Sequence, residues 1–132
     1  ADVYCGSGSI GMEALSRGFQ HCHFNDIDNA QIKKISLFLK NFPNLSYSLS
    51  DNDISNELDQ ILWSSFDVIY FDPPYEIKLE PIILQKIEKI KNKAIIITET
   101  SHKIFEATQS TYNKSYKNKF INFFFANELK KL

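Results

Sequence analysis

The chain has 132 residues, of which 43% are hydrophobic and 23% charged, with a formal net charge of −1. This balance suits one soluble globular domain over residues 1–132, and no apolar run approaches the ~20 residues that a membrane helix needs. Cys5 and Cys22 are too few for a disulfide framework, so a reducing cytoplasm is the expected compartment.

The charge is unevenly spread. Residues 1–85 carry 5 basic and 12 acidic side chains, a balance of −7, whereas residues 86–132 carry 10 Lys and 4 Glu, a balance of +6. Such asymmetry marks either a face that meets phosphates or a lysine-rich composition. With 14 of the 15 basic residues being Lys, composition is the plainer reading.

In chain order, Asp2–Cys5 reads as a strand end that feeds a glycine turn and a helix over Ser9–Arg17, closed at Gly18. Because the chain opens inside a strand, an N-terminal segment is expected to be missing. His21–Asp26 is the second predicted strand. Ile32, Ile35, Leu39 and Phe42 then form one stripe of an amphipathic helix ended near Pro43. Leu45–Ser50 is a third strand, and Ile54–Ile61 a short helix.

Phe66–Phe71 is almost wholly apolar and suits a buried central strand. Pro81 suits a helix start, and Ile83, Ile87 and Ile90 stripe the helix that follows. Ala94–Thr98 is another buried strand. From Tyr112 onward no helix is predicted; Tyr112–Asn118 and Phe120–Ala126 read as paired strands around Lys117-Asn118-Lys119. Alternating strands and helices with a closing strand pair imply an α/β, doubly wound sheet. Such sheets bind ligands beyond the carboxyl ends of their strands.

Two motifs occupy such ends. Gly6-x-Gly8-x-x-Gly11 matches the dinucleotide-binding fingerprint, with an acid at Asp26 or Asp28 about 20 residues on. Glycines let the backbone approach a ligand closely, and a carboxylate after the second strand accepts hydrogen bonds from ribose hydroxyls. Asp26 is the better ribose acid, because Asp28 can cap the next helix. Asp2, four residues before Gly6, suits the ammonium of S-adenosylmethionine, directly or through water, and favours that cofactor over NAD.

The second motif is Asp72-Pro73-Pro74-Tyr75, directly after the apolar run. An exocyclic base amine is a poor nucleophile, because its lone pair is delocalised into the ring. The Asp72 carboxylate and the Pro73 carbonyl are two acceptors able to favour a pyramidal nitrogen. The proline pair holds them with little flexibility, and Tyr75 offers a face for the base, worth ~1–3 kcal/mol. An ordinary Pro-Pro turn would explain the tetrapeptide alone, but not its company with the glycine loop.

With both motifs, the chain resembles the RsmD-like family of 16S rRNA guanine-N2 methyltransferases. The narrowest stretch is Gly6-Ser7-Gly8-Ser9-Ile10-Gly11-Met12-Glu13-Ala14-Leu15-Ser16-Arg17-Gly18, and Phe24–Asp28, Asn41, Phe66–Tyr75 and Ala94–Glu99 extend it. The resemblance implies a seven-stranded Rossmann-like sheet ending in an antiparallel strand pair, S-adenosylmethionine as cofactor, and one guanine amine of 16S rRNA as target. It implies a cofactor set of Asp2, Gly6, Ser7, Gly8, Asp26, Ile27 and Asp53, with Asp51 competing with Asp53 at the adenine. Asp72, Pro73 and Tyr75 are the implied catalytic residues. The family also carries a basic segment ahead of the glycine strand, which is not in this sequence.

No metal site is expected: His21 and His23 alternate on a strand and His102 is remote. Cys5 and Cys22 read as packing residues, and Phe123, Phe124 and Phe125 as a sheet core with one ring outward. The expected partner is 16S rRNA or a small-subunit assembly intermediate, met by a monomer. The rivals are a DNA adenine-N6 methyltransferase, a glutamine methyltransferase (which typically has Asn where this chain has Asp72), a non-catalytic nucleotide- or RNA-binding module, and an NAD-binding reductase.

Overall fold

Apolar residues at strand and helix spacing build an α/β protein, which the computed structural model describes over residues 1–106 and 112–132. The chain divides into two compact units, Ala1–Ile61 and Leu62–Leu132.

In the first unit, α1 (Ser9–Ser16) and β1 (Cys22–Asn25) are followed by α2 (Asn29–Leu39) and β2 (Tyr47–Ser50). β1 and β2 pair in parallel, Cys22 opposite Tyr47 and Asn25 opposite Ser50. The strand predicted over Asp2–Cys5 is reduced to one parallel bridge between Asp2 and Phe24. The chain turns at Val3 and Tyr4, and the Val3 carbonyl accepts instead from the Asn25 side chain at 3.0 Å. α2 begins where the Asp28 carboxylate accepts from the Ala30 amide.

Ile32, Ile35 and Leu39 face a core shared with Cys5, Leu15, Cys22 and Phe24. Fully burying a side chain of this size contributes about 1.5–3 kcal/mol. Phe42, the next member of the stripe by sequence, is 43% exposed. The helix stops at Leu39, where the Asn41 side chain donates to the Phe38 carbonyl at 3.0 Å. No helix forms over residues 54–61. The side chains of Asp53, Asn56 and Asp59 each accept the amide two residues on, at 2.9, 2.9 and 3.0 Å, which gives the backbone local partners that compete with a helical ladder.

The second unit holds β3 (Val68–Phe71), α3 (Leu79–Lys86), β4 (Ile95–Thr100), β5 (Tyr112–Tyr116), β6 (Lys119–Phe125) and α4 (Ala126–Leu129). The strand order β3-β4-β6-β5 is mixed: β3–β4 is parallel and the other pairings antiparallel. Ile69, Phe71, Ile96 and Phe124 are buried, while Val68, Tyr70 and Ile97 are half-buried, so one face of this sheet makes the core. Trp63 stacks on Phe71 at 6.1 Å between ring centroids.

Three expectations change here. Among the described residues there are six strands plus the Asp2 bridge, where seven strands were expected. Pro81 is the third residue of α3, not the first; it still lies in the turn whose amides lack helical partners. A helix does follow the closing strands: Ala126 and Leu129 are buried, and this anchoring ends β6 at Phe125. The closing pair itself is a hairpin with a two-residue turn at Lys117-Asn118, closed by Tyr116 opposite Lys119.

Candidate functional site

The glycine loop of the first unit is held by two carboxylates from different stretches of chain. Asp26 Oδ2 accepts from the Gly6 amide at 2.8 Å, and its Oδ1 accepts from the Asp28 amide at 2.9 Å. Asp2 is only 2% exposed, and its Oδ2 accepts from the Gly11 amide at 3.0 Å. Gly6 has a φ of 50°, and a Cβ there would meet nothing within 4 Å, so the space beside it is open. Gly11 is the opposite case: a Cβ would lie 2.3 Å from Phe24 Cε1 and 2.7 Å from Cys22 Sγ. Its hydrogen lets α1 lie against β1.

Asp2, Gly6 and Asp26 thus share one hydrogen-bonded loop, with Ser7 exposed, Gly8 at the N-cap of α1 and Ile27 68% exposed beside Asp26. Asp53 accepts from the Ser55 amide and hydroxyl, and its charge, after burial, helps push the Tyr4 phenol up to about 12. Asp51 accepts from the Asn29 side chain at 2.9 Å.

Asn25 is a residue that motif reasoning passes over. Its Nδ2 donates to the carbonyls of Val3 and Asn52 at 3.0 and 3.1 Å. Its Oδ1 accepts from Ser50 Oγ at 2.6 Å and the Asn52 amide at 2.9 Å. This uses the full capacity of a primary amide and ties three chain segments together at the carboxyl end of β1. The available signal was a lone amide ending an otherwise ordinary strand.

Cys5 and Cys22 are buried, and burial first pushes their thiols up to about 12 and about 11, which removes them as nucleophiles. His21 and His23 interleave with Ser46, Ser48 and Ser50 in hydrogen bonds of 2.7–2.9 Å. Burial pushes His23 down to about 4. Among the described residues no group of three or more His, Cys, Asp or Glu could hold a metal ion, and no helix is long and apolar enough to cross a membrane.

In the second unit, β3 ends at Phe71 and the chain passes directly into the tetrapeptide. Asp72, Pro73 and Tyr75 line one cleft with Glu99, His102 and Lys119. Asp72 is half-buried, Pro73 is buried, and Tyr75 is 69% exposed. The Ile77 amide donates to the Pro74 carbonyl at 3.0 Å, fixing the turn after the prolines. Burial, then the Glu99 charge, holds the Asp72 carboxyl above the ordinary range, with Lys119 opposing.

Glu99 and Lys119 were not singled out by the sequence as site residues. Glu99 accepts from the Tyr70 hydroxyl at 2.6 Å and pairs with the Lys119 ammonium. Burial alone would raise its carboxyl; the hydrogen bonds from Lys119 and Tyr70 outweigh that and hold it below the ordinary value. The cleft therefore offers one carboxylate already neutralised by a cation and a second, Asp72, free to accept from a ligand at the end of the strand. Hydrogen-bond acceptors beside an exposed aromatic ring suit a planar donor such as a base amine.

Residues 1–124 match the family model described as "Conserved hypothetical protein 95". The chain is 30% identical over 112 residues to YlbH of Bacillus subtilis strain 168, provisionally named an rRNA methyltransferase, covering 78% of this chain and 59% of that protein. It is 32% identical over 108 residues to ribosomal RNA small subunit methyltransferase D of Haemophilus influenzae, covering 75% of this chain and 54% of that protein. The chain thus spans little more than half the length of these curated relatives. Among solved structures, the Haemophilus influenzae protein HI0767, provisionally titled a methylase, superposes with a TM-score of 0.79 at 23% identity, over 92% of this chain and 82% of that one.

Proposed function

We propose, since this chain belongs to the RsmD-like methyltransferase family, that it transfers a methyl group from S-adenosylmethionine to the exocyclic N2 amine of a guanine in 16S rRNA. The observation that carries the reading is the cleft after β3, where Asp72 and Pro73 stand beside the open ring of Tyr75.

The glycine loop fits the nucleoside cofactor. Space is open at Gly6, Asp26 retains acceptor capacity beyond its two backbone bonds, and Ile27 exposes an apolar side chain next to it. Gly6, Ser7, Gly8, Asp26, Ile27 and Asp53 would line the cofactor, with Asp2 supporting the loop from beneath through the Gly11 amide. When bound, S-adenosylmethionine supplies a methyl group made electrophilic by its sulfonium.

Asp72 and the Pro73 carbonyl accept from the target amine, turning its lone pair out of the ring plane, and Tyr75 stacks on the base. The proton released from nitrogen passes to the Asp72 carboxylate or to water. We assign the two units to one catalytic domain, acting as a monomer in the cytoplasm on 16S rRNA or a small-subunit assembly intermediate.

The test supplies radiolabelled S-adenosylmethionine with 16S rRNA, small-subunit particles, duplex DNA and a protein extract in separate reactions. Label in a guanine N2 position of 16S rRNA is the expected result. Label confined to DNA adenine or to protein would replace the substrate, and absence of cofactor heat by calorimetry at millimolar S-adenosylmethionine would favour a non-catalytic module.

A further inference from the structure

Between Glu106 and Glu128 the sequence has no acidic residue and three lysines, Lys114, Lys117 and Lys119, all on the β5–β6 hairpin. The strand register sorts the side chains. Tyr116 lies opposite Lys119, Lys114 opposite Ile121, and Ile121 opposite Glu99. Residues opposite one another share a face, so Lys114, Tyr116 and Lys119 stand on the same side of the sheet as Glu99. Lys114, Tyr116 and Lys117 are exposed, Tyr116 by 62%.

The hairpin tip also lies at the end of the sheet that carries the tetrapeptide. Phe71 pairs with Thr98, and Thr100 pairs with Phe120, so the close of β3, the close of β4 and the hairpin turn fall at one edge. Lys119 belongs to both features: it closes the hairpin opposite Tyr116 and lines the Asp72–Tyr75 cleft.

The turn itself carries a cost. Lys117 adopts a φ of 52°, a region where a residue other than glycine is disfavoured by roughly 1–2 kcal/mol. Glycine or asparagine would close a two-residue hairpin more cheaply. What lysine gains there is position: its ammonium stands 5.4 Å from the centroid of the Tyr116 ring. Strain held at an exposed cation beside an exposed aromatic ring is the pattern of a binding surface.

We propose that this hairpin face is the track for the single-stranded RNA next to the target base. A neighbouring base stacks on Tyr116, Lys114 and Lys117 meet phosphates, and Lys119 stands where the track enters the cleft. Cations interleaved with an aromatic ring are the chemistry that binds single strands with little regard to sequence. The inference rests on the RNA methyltransferase reading above and assigns the surface which that reading needs.

The test measures binding of a fluorescently labelled 12-nucleotide single-stranded RNA as a function of salt. Tyr116→Ala should weaken binding by about 5–100-fold with the salt slope unchanged, and Tyr116→Phe should restore it. Lys114→Ala and Lys117→Gly should each reduce the salt slope by about 0.7. Lys117→Gly should also raise the melting temperature or leave it unchanged, so loss of binding cannot come from unfolding. Lys93→Ala, which removes an exposed cation from the turn before β4, should change neither binding nor slope.

Hairpin variants that all behave like Lys93→Ala would overturn the track, as would tighter binding of duplex DNA than of single-stranded RNA. The two proposals fail separately. Wild-type methylation of 16S rRNA with unchanged KM in the hairpin variants sinks the track alone. Variant-dependent RNA binding without any methyl transfer sinks the reaction alone.

Discussion

The carboxylate of Asp26 holds the amide of Gly6 at 2.8 Å across 20 residues of sequence, so the acid that ends the β1 stretch also sets the shape of the glycine loop. A group assigned to ribose therefore has a structural task as well. Asp26→Ala removes the acceptor from two backbone amides, those of Gly6 and Asp28. Stability should fall by about 1–3 kcal/mol in urea denaturation, and affinity for S-adenosylmethionine by at least about tenfold, roughly the 1.4 kcal/mol of one lost hydrogen bond. Asp26→Asn, with one acceptor oxygen left, should fall between. Cofactor heat equal to wild type in Asp26→Ala would remove this residue from the cofactor site.

Gly11 supplies a second check on the same loop. A Cβ there would collide with the Phe24 ring and Cys22 Sγ, both buried and packed in the core. Neither neighbour can swing into solvent, so α1 would have to lift from β1. Gly11→Ala should cost about 1–3 kcal/mol and lower the melting temperature by several degrees. A melting temperature within a degree of wild type would mean that the helix shifts freely, and that the close approach is not needed.

Local pattern was enough to locate α1, α2, β1 to β4 and the closing hairpin, because each carries its own periodicity or turn chemistry. It failed at residues 54–61, where Asp53, Asn56 and Asp59 interrupt a sequence with helical spacing by capping their own backbone. It also failed at α4, whose four residues are too few for periodicity to register and which owes its form to burial of Ala126 and Leu129. The tetrapeptide was conspicuous in sequence, but its neighbours were not. Glu99 and Lys119 are 20 residues apart, and only the antiparallel register of β4 with β6 brings them together beside Asp72.

Asn25 illustrates the same limit and yields a stability test. Its amide joins the Val3 carbonyl, both backbone groups of Asn52, and the Ser50 hydroxyl. Asn25→Ala leaves those groups near the core without their partner, at about 1–3 kcal/mol for a buried group left unsatisfied. A total loss of about 3 kcal/mol is expected in urea denaturation. Asn41→Ala provides the contrast: its bonds to the last turn of α2 are exposed, and its loss should cost less than about 1 kcal/mol. Equal losses for the two variants would show that Asn25 does not organise the strand ends.

The cleft of the second unit makes a prediction about pH, with opposite signs for its two acids. The Asp72 carboxyl is held above its ordinary 3.8 by burial and by Glu99. Its contribution to stability is therefore present below the unfolded value and lost as pH rises through the folded one. Glu99, held below its ordinary 4.5 by Lys119 and Tyr70 against the effect of burial, contributes stability above the unfolded value that is lost as pH falls through the folded one. The proposed reaction needs Asp72 ionised, so the acid limb of kcat/KM should lie above 3.8. Glu99→Gln removes the neighbouring negative charge and should move that limb to lower pH. Lys119→Met removes the opposing cation and should move it to higher pH. A pH-rate series on the three proteins checks both shifts, and limbs that coincide, or that move the same way in both variants, would detach Asp72 from the reaction.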